Sequence, residues 1–311
     1  MVRGLKMENL LDVSVIISTY TTDRLFDVME CISSLKRQTV PPVEIILVLD
    51  PYDELVEFYK SRVPADIRIV RSSNRGLSFA RNTGIKASKG EIVAFIDDDA
   101  VAEKKWLECL IGNYADLQVM SVGGLVKAEW GNKRPFWFPE ELDWIVGCSY
   151  KGSAEVRSQI RNPLGCNMCF KRTIFEKIGY FRPDIGRHGK MLLGNEETQL
   201  SIRLSNKIPN SKIMYEPSAI VHHRVSKDRV SLRYIWKRSF YEGVSKALIN
   251  SQKKVPATLS HESSYLKYLL GVAIPSRLKR NMGFKNMCHM FTLLFSMFAV
   301  FSGFLLYKLG D

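Results

Sequence analysis

The chain has 311 residues, of which 46% are hydrophobic and 25% are charged. This length allows one large α/β domain of roughly 200–250 residues and an appendage. The sequence carries no low-complexity stretch and no internal repeat, which argues against a disordered chain and against a solenoid.

The formal net charge of +13 is concentrated at the carboxyl-terminal end of the chain. Residues 221–311 hold 15 Lys and Arg against 4 Asp and Glu, whereas residues 1–220 hold 30 against 28. A nucleic-acid-binding protein more often interleaves basic and aromatic residues across its folded face. A tail that is both basic and apolar instead indicates a membrane surface, so we expect a membrane partner and no nucleic acid.

Six cysteines, with no secretory signal before the first strand at Val13, predict a reducing compartment and free thiols. Cys166 and Cys169 form a CxxC, but the chain has no second pair and no His at zinc-finger spacing. We therefore expect these two cysteines to fill space in the core, with metal or redox use as the alternative.

The first part of the chain alternates short β-branched runs with helix-length segments. Predicted strands begin at Asp12, Glu44, Asp66 and Gly90, and helices are predicted at 25–35 and 77–87. Because parallel neighbours need crossover connections, this order predicts an α/β fold with a doubly wound, mostly parallel sheet. Ligands bind such sheets beyond the carboxyl ends of the strands, where Thr19, Asp50 and the run Asp97–Asp99 would meet.

Three adjacent carboxylates, Asp97, Asp98 and Asp99, follow the apolar run 92–96. Neighbouring negative charges repel, so they need a cation, donated hydrogen bonds or partial protonation. A hard divalent ion is the usual partner of clustered carboxylate oxygens. The run therefore predicts a metal and nucleotide edge, and a solvated acidic turn is the alternative.

The later chain predicts a helix at 106–117, a strand at 119–126 and, from 130 to 150, a loop region that covers the substrate. A turn and a strand at 162–172 precede a short helix from Thr173. A further helix starts near Gly194 with Glu196 and Glu197 in its first turn, where the helix dipole favours negative charge. A last strand region at 213–225 contains His222 and His223.

Several short motifs occur together in one order and spacing between Val13 and about Ala247, three quarters of the chain. They are Ser-Thr-Tyr at 18–20, Val-Leu-Asp at 48–50, Arg75-Gly76, Ala80-Arg81-Asn82, Asp97-Asp98-Asp99, the segment 165–172 and Gly194-Asn195-Glu196-Glu197. In these motifs the chain resembles the family 2 glycosyltransferases, inverting enzymes with the GT-A nucleotide-diphospho-sugar transferase fold. The segments 181–187, 196–197, 222–225 and 238–247 are similar to archaeal members that lengthen dolichyl-phosphate-linked glycans, such as glucosyl-dolichyl phosphate glucuronosyltransferases.

The resemblance implies that the acidic run and a histidine hold Mn²⁺ or Mg²⁺. Asp97 and Asp99 would form the Asp-x-Asp motif, with Asp99 coordinating the ion directly and Asp98 or Asp97 facing the ribose. A bound ion neutralises the charge that develops as the donor's diphosphate leaves. His223 would contact the metal or the diphosphate, and an imidazole suits Mn²⁺ better than Mg²⁺; a structural histidine is the alternative.

The resemblance also implies how the donor is held. Asp50 would accept a hydrogen bond from the base of a uridine nucleotide, with Thr19 and Tyr20 on the same wall; a turn cap beside Pro51 is the alternative for Asp50. Arg81 would lie near the diphosphate, or else form a surface ion pair. Four more arginines extend a phosphate-facing surface or form a solvated helix face: Arg224, Arg229, Arg233 and Arg238.

Glu196 and Glu197 stand where many relatives carry Glu-Asp, the position of the catalytic base. Inversion in one displacement needs a base on the acceptor hydroxyl. The register assigns this role to Glu197, but Glu is one methylene longer than Asp, so participation of Glu196 stays open. The alternative is an acidic first turn that only complements the helix dipole.

The segment Met287 to Tyr307 has 21 residues without a Lys, Arg, Asp or Glu, close to the length that spans a bilayer. Basic residues lie upstream of it: Arg277, Lys279, Arg280 and Lys285. Because positive flanks stay in the cytoplasm, we expect a C-terminal anchor at the cytoplasmic face of the cell membrane. The segment either spans the membrane or lies in its interface, with 265–274 as an amphipathic companion.

Together these features predict a glycosyltransferase domain over residues 1–250, a basic amphipathic linker over 251–286 and a membrane helix over 287–307. The expected activity is metal-dependent, inverting transfer of a hexosyl or hexuronosyl group, with glucuronosyl as one candidate, from a UDP-sugar to a polyprenol- or dolichyl-phosphate-linked glycan. One alternative is a nucleotidyltransferase that makes NDP-sugars, which predicts a Gly-rich basic loop that Ser18–Thr22 lacks. The other is a non-catalytic, membrane-bound protein that binds nucleotide sugars.

Overall fold

The computed structural model describes residues 11–186, 192–251, 260–279 and 283–310. Arg187 of the motif 181–187, Arg280 and residues 252–259 of the expected linker lie outside the described residues. The described strands are β1 (Val13–Thr19), β2 (Glu44–Leu49), β3 (Arg68–Arg71), β4 (Ile92–Asp97), β5 (Ala100–Ala102), β6 (Val119–Trp130), β7 (Ser158–Gln159), β8 (Asn167–Lys171) and β9 (Lys212–Val225). The described α-helices are α1 (Leu25–Lys36), α2 (Asp53–Lys60), α3 (Leu77–Ala87), α4 (Trp106–Ile111), α5 (Ile174–Ile178), α6 (Glu196–Lys207), α7 (Leu232–Ser251), α8 (Ser260–Tyr268), α9 (Ile274–Lys279) and α10 (Phe284–Gly310).

The strands form one mixed sheet in the order β3-β2-β1-β4-β8-β6-β9-β5, with β7 paired to β9. The strands β3, β2, β1 and β4 are parallel, as the alternation of strands and helices predicts. Beyond them β8 runs antiparallel to both β4 and β6, and β5 runs antiparallel to β9. The parallel order therefore covers one side of the sheet, and the other side is mixed.

The strands β1, β2 and β4 are buried on both faces because helices cover the sheet from both sides. Along β1, Val15 and Ile17 belong to one buried cluster and Ile16 belongs to another. Along β4, Ala94 and Phe95 are divided in the same way. Two cores, one on each face, thus hold the strand ends in a rigid row.

Two predicted boundaries differ from the structure for local reasons. The helix predicted at 106–117 ends at Ile111 and continues as a 3-10 turn over Gly112–Ala115. The strand predicted at 119–126 extends to Trp130, because β6 stays paired with β9 as far as Trp130 opposite Val225. The region 130–150 also contains a 3-10 helix, Glu140–Val146, whose Leu142 and Ile145 are buried in the core.

The apolar helix α10 packs along α7 instead of standing apart from the domain. The Trp236 ring lies 5.2 Å from that of Phe295, and the Ser239 and Ser296 hydroxyls are 2.8 Å apart. Further along, a Cβ atom added to Gly303 would overlap the Phe240 carbonyl oxygen. Glycine therefore permits the close approach of the two helix backbones.

A buried carboxylate ties the preceding tail helices to the domain. Glu141, in the 3-10 helix, is 1% exposed and accepts hydrogen bonds of 3.0 and 2.8 Å from Arg277 of α9. The Tyr265 hydroxyl of α8 donates a hydrogen bond to the backbone carbonyl of Glu141. The expected companion segment 265–274 is the end of α8 and a π-helical turn over Leu269–Ala273.

We expect Gly303→Ala to destabilise the protein because the new methyl group meets a backbone carbonyl that cannot rotate away. Overpacking of this kind costs about 1–3 kcal/mol, which corresponds to a fall of roughly 2–5 °C in the melting temperature of a chain of 311 residues. Thermal unfolding in detergent measures this shift in melting temperature. Gly271→Ala is the matched control, since a Cβ atom there has open space; equal losses in both variants would contradict the packing.

Candidate active site

The three carboxylates that end β4 have different environments. Asp97 is 34% exposed at its side chain and lies 3.7 Å from an Arg81 nitrogen. Asp98 is buried and paired with Arg24 of the turn before α1. Burial raises the pKa of Asp98 to about 6, which Arg24 only partly offsets. The acidic run is therefore not a solvated turn.

Asp99 is 8% exposed and is surrounded by cationic and imidazole groups. Its oxygens lie 3.2 Å from Arg24, 3.4 Å from Arg229 and 3.2 Å from His223 Nε2. Although burial opposes ionisation, His223 and the two arginines hold the pKa of Asp99 well below its ordinary value. This carboxylate stays charged at neutral pH.

A set of donors suited to a divalent cation meets beside the acidic run. Ligand atoms of Asp97, Cys166 and His223 lie within 4.8 Å of one another. Asp99 Oδ1 is buried, faces His223 Nε2 and has no hydrogen-bond partner among the described residues. A carboxylate, an imidazole and a buried orphan oxygen fit a divalent ion. The structure thus brings the predicted Asp97, Asp99 and His223 together and adds Cys166.

The predicted nucleotide wall lies at the ends of β1 and β2, where Thr19 pairs with Leu49. The Thr19 hydroxyl is buried near Asp98 and has no hydrogen-bond partner among the described residues. Tyr20 is 60% exposed at the mouth of the site. Asp50 accepts a 3.4 Å hydrogen bond from the Gly76 N–H, and Gly76 has a φ of 111°, which favours glycine.

Arg81 of α3 is buried, with 3% of its side chain exposed, and is not a surface ion pair. It donates a 2.7 Å hydrogen bond to Glu196 and a 2.9 Å hydrogen bond to the Gly165 carbonyl. It also lies beside Asp97. Arg81 therefore connects the acidic run to the first turn of α6, and most of its hydrogen-bonding capacity faces protein.

The two glutamates of α6 have different partners. Glu196 is 5% exposed and held by Arg81. Glu197 is half-buried, and its carboxylate has no hydrogen bond or ion pair with any residue in the described ranges. Burial, then repulsion from Glu196, raises the pKa of Glu197 to about 8, against the attraction of Arg81. Of the two, Glu197 is the one free to accept a proton.

A charged network on α7 positions the start of α6. Asn195, in a left-handed conformation with φ 74°, donates to Glu242 at 3.1 Å and accepts from Lys246 at 2.9 Å. Arg238 donates a 2.8 Å hydrogen bond to Glu242, and Lys246 and Arg238 hold the pKa of Glu242 at about 2 in spite of burial. The i,i+4 spacing of Arg238, Glu242 and Lys246 is the sequence signal for this network.

Arg24 and Cys166 are the site residues whose positions the sequence does not predict. Arg24 reaches Asp98 and Asp99 across more than 70 positions of the chain. Cys166 and Cys169 both belong to the buried core, as predicted, but the Cys166 sulfur also lies within 4.8 Å of ligand atoms of Asp97 and His223. The antiparallel pairing of β8 with β4, which the sequence pattern does not reveal, is what brings Cys166 to the site.

Comparison with known proteins agrees with the fold and with the motifs. The family profile of glycosyl transferase family 2 matches residues 14–179. A glucosyl-dolichyl phosphate glucuronosyltransferase of Haloferax volcanii is 33% identical over 277 residues, which cover 86% of each chain.

Two solved structures show the same fold at low sequence identity. The mannosyltransferase PcManGT of Pyrobaculum calidifontis, in complex with GDP-Man and Mn²⁺, has a TM-score of 0.59 at 17% identity, covering 96% of this chain and 86% of the other. GalNAc-T7 with UDP, GalNAc and Mn²⁺ has a TM-score of 0.54 at 15% identity, covering 88% and 59%.

The profile match extends over more than half of the chain, and the Haloferax relative is similar over nearly its whole length. These matches favour a transferase over the nucleotidyltransferase and binding-protein alternatives. The chain belongs to glycosyltransferase family 2, has the GT-A fold and is a glycosyltransferase.

Proposed function

We propose that the protein transfers a hexosyl or hexuronosyl group, with inversion, from a UDP-sugar to a polyprenol- or dolichyl-phosphate-linked glycan. The observation that carries this proposal is the pairing of Glu196 with Arg81, which leaves Glu197 unpaired with a pKa of about 8. A general base works best when its pKa is near the working pH. The lipid-linked acceptor and the glucuronosyl option are supported by the name of the Haloferax relative.

Asp97, Asp99 and His223 are the residues that would hold a divalent cation, Mn²⁺ or Mg²⁺. The ion would supply positive charge where the leaving diphosphate develops negative charge. Mn²⁺ accompanies the nucleotide in both solved relatives, which supports a divalent ion for this chain. Asp98, buried and paired with Arg24, holds the acidic turn in place, so the more exposed Asp97 is the carboxylate of this pair that would face the ribose.

The donor nucleotide would lie over the ends of β1 and β2. Asp50 offers a carboxylate to the N–H of a uracil ring, and the exposed Tyr20 ring forms the adjacent wall. Arg81 acts by positioning, because its guanidinium is buried between Asp97 and Glu196. Its positive charge still lies beside the acidic run and so favours a nearby diphosphate.

Glu197 would take the proton of the acceptor hydroxyl while that oxygen attacks the anomeric carbon from the face opposite the leaving diphosphate. The bond from the anomeric carbon to the new oxygen forms as its bond to the diphosphate oxygen breaks, which inverts the configuration. Glu196 remains bound to Arg81 and sets the orientation of the first turn of α6. Its negative charge also keeps the pKa of Glu197 high.

We propose that α10 attaches the enzyme to the cytoplasmic face of the cell membrane by lying in the interface. Phe284–Leu309 is long and apolar enough to cross a membrane, but its polar and small residues Thr292, Ser296 and Gly303 are buried against the protein. The outward face is an exposed apolar stripe that consists of Phe284, Met287, Phe291, Leu294, Phe298, Phe301 and Leu305.

The proposed position of α10 in the membrane interface follows from its packing against α7. In this packing α7 lies beside α10 and carries Arg238, Glu242 and Lys246. A spanning α10 would take this charged network to bilayer depth, where charges are costly. An interfacial α10 buries the stripe in lipid and keeps the network at the membrane surface, close to an acceptor whose lipid stays in the bilayer.

We expect Glu197→Gln to lower kcat by about 10²–10⁴-fold, because the amide cannot accept the hydroxyl proton. Binding of the nucleotide should stay unchanged, since Glu197 lies across Arg81 from the acidic run. Transfer to a lipid-linked acceptor measures the first quantity and UDP titration the second. A variant with Glu197→Gln that retains full transfer would contradict the assigned base.

The pH dependence follows from the direction of the Glu197 pKa shift. The base is active as the carboxylate, so raising its pKa to about 8 removes the active form as the pH falls below 8. We expect kcat/KM to rise tenfold per pH unit up to about pH 8 and then to level off. A flat profile between pH 6 and pH 9 would contradict this assignment.

The membrane orientation can be tested with a protease-sensitive tag added after Asp311. In sealed vesicles with the cytoplasmic face outward, an interfacial α10 leaves the tag and the catalytic domain open to protease together. Cleavage of the domain with protection of the tag would show a spanning helix and contradict the proposal. Detergent-opened vesicles are the control for the protease sensitivity of the tag.

A further inference from the structure

A carboxylate oxygen, an imidazole nitrogen and a thiol sulfur, all potential metal ligands, lie close together at the end of β4. They belong to Asp97, His223 and Cys166, which come from β4, from β9 and from the turn before β8. The register of β8 explains the approach, because Asn167 pairs with Ile96 in antiparallel fashion. The residue before Asn167 must then lie beside the residue after Ile96. The position of the thiol is therefore set by the sheet and not by a mobile loop.

The surroundings of this point are those of a built site. Cys166 is 4% exposed and His223 is 2% exposed. Burial and the neighbouring Asp97 and Asp99 carboxylates raise the pKa of the Cys166 thiol, an effect that a bound cation would oppose. Asp99 Oδ1, buried and without a hydrogen bond within the described ranges, faces His223 Nε2 at 3.2 Å. Carboxylate, imidazole and thiol groups gathered in this way are the ligand types that bind divalent cations.

We propose that Cys166 is itself a metal ligand and that the site binds thiophilic divalent cations such as Co²⁺, Zn²⁺ or Cd²⁺ through sulfur, as well as Mn²⁺. Binding forms a metal–sulfur bond, and the thiol proton leaves to solvent. Carboxylate oxygen alone suits Mg²⁺, whereas a thiolate selects softer cations. The inference extends the metal site of the proposed function and assigns a ligand that the acidic motif does not contain.

Two other thiols provide matched comparisons. Cys169 is three residues further along the chain and fully buried, but its sulfur contacts the Tyr114 hydroxyl on the core side. Cys148 lies near the proposed metal ligand His223, with its sulfur 3.7 Å from His223 Nδ1. A role for Cys166 in packing alone predicts that Cys166→Ser and Cys169→Ser behave alike. A role in ligation predicts that only Cys166→Ser changes the metal.

The test is a titration of the full chain in detergent with Co²⁺, without nucleotide. Unmodified protein should show thiolate-to-cobalt charge-transfer absorption in the near ultraviolet that saturates at one ion per chain and disappears with chelator. Cys166→Ser should lose this absorption and bind Co²⁺ at least about tenfold more weakly, with Mg²⁺ affinity unchanged. Cys169→Ser and Cys148→Ser should keep the absorption band and the Co²⁺ affinity of the unmodified protein.

Absence of the band in unmodified protein would overturn the inference whether or not any variant folds. Its persistence in Cys166→Ser, its loss only in Cys148→Ser, or an equal loss of Co²⁺ and Mg²⁺ affinity would also overturn it. The readout is separate from turnover, so the two proposals can fail independently. A cobalt band without sugar transfer would contradict the proposed function, and transfer without the band would contradict only the assignment of Cys166.

Discussion

The buried guanidinium of Arg81 is the interaction on which the site depends. It contacts Glu196 at 2.7 Å and the Gly165 carbonyl at 2.9 Å, and it lies 3.7 Å from Asp97. These groups come from α6, from the turn before β8 and from β4, three elements far apart in the chain. Breaking a buried ion pair by removing one partner costs about 3–5 kcal/mol. Arg81 therefore connects the acidic run to the first turn of α6.

Charge is distributed unequally around that connection. At the acidic run Arg24, Arg229 and His223 keep Asp99 ionised in a buried position. At the start of α6 burial and Glu196 disfavour the charged form of Glu197. One carboxylate is therefore a permanent anion suited to a cation, and the other can exchange a proton near neutral pH. Two acidic motifs of similar composition acquire different chemistry from their neighbours.

Much of this organisation could be predicted from the sequence. The β-branched runs predicted β1, β2 and β4, and α3 has the predicted bounds, Leu77–Ala87, because apolar runs with clear polar ends determine local structure. The extension of β6 to Trp130 was missed because its outer residues Lys127 and Glu129 are more exposed and look like loop residues.

Contacts between distant segments were harder to predict than the elements themselves. Pairing of Arg24 with the acidic run and placement of Cys166 both depend on strand order, which periodicity does not determine. The same holds for the C-terminal helix α10, whose existence the sequence predicts but whose packing it does not. Composition predicts an apolar helix, but only the packing of Ser296 and Gly303 against α7 shows which face of that helix stays exposed.

In the proposed mechanism the acidic run binds the leaving diphosphate of the donor, and Glu197 accepts the proton of the acceptor hydroxyl. The most direct test compares Asp99→Asn with Glu197→Gln in two measurements, Mn²⁺-dependent UDP binding by calorimetry and single-turnover sugar transfer. We predict that transfer is lost in both variants and that UDP binding is weakened only in Asp99→Asn. If Glu197→Gln weakens metal-dependent UDP binding as much as Asp99→Asn does, the division of roles between the two carboxylates is wrong.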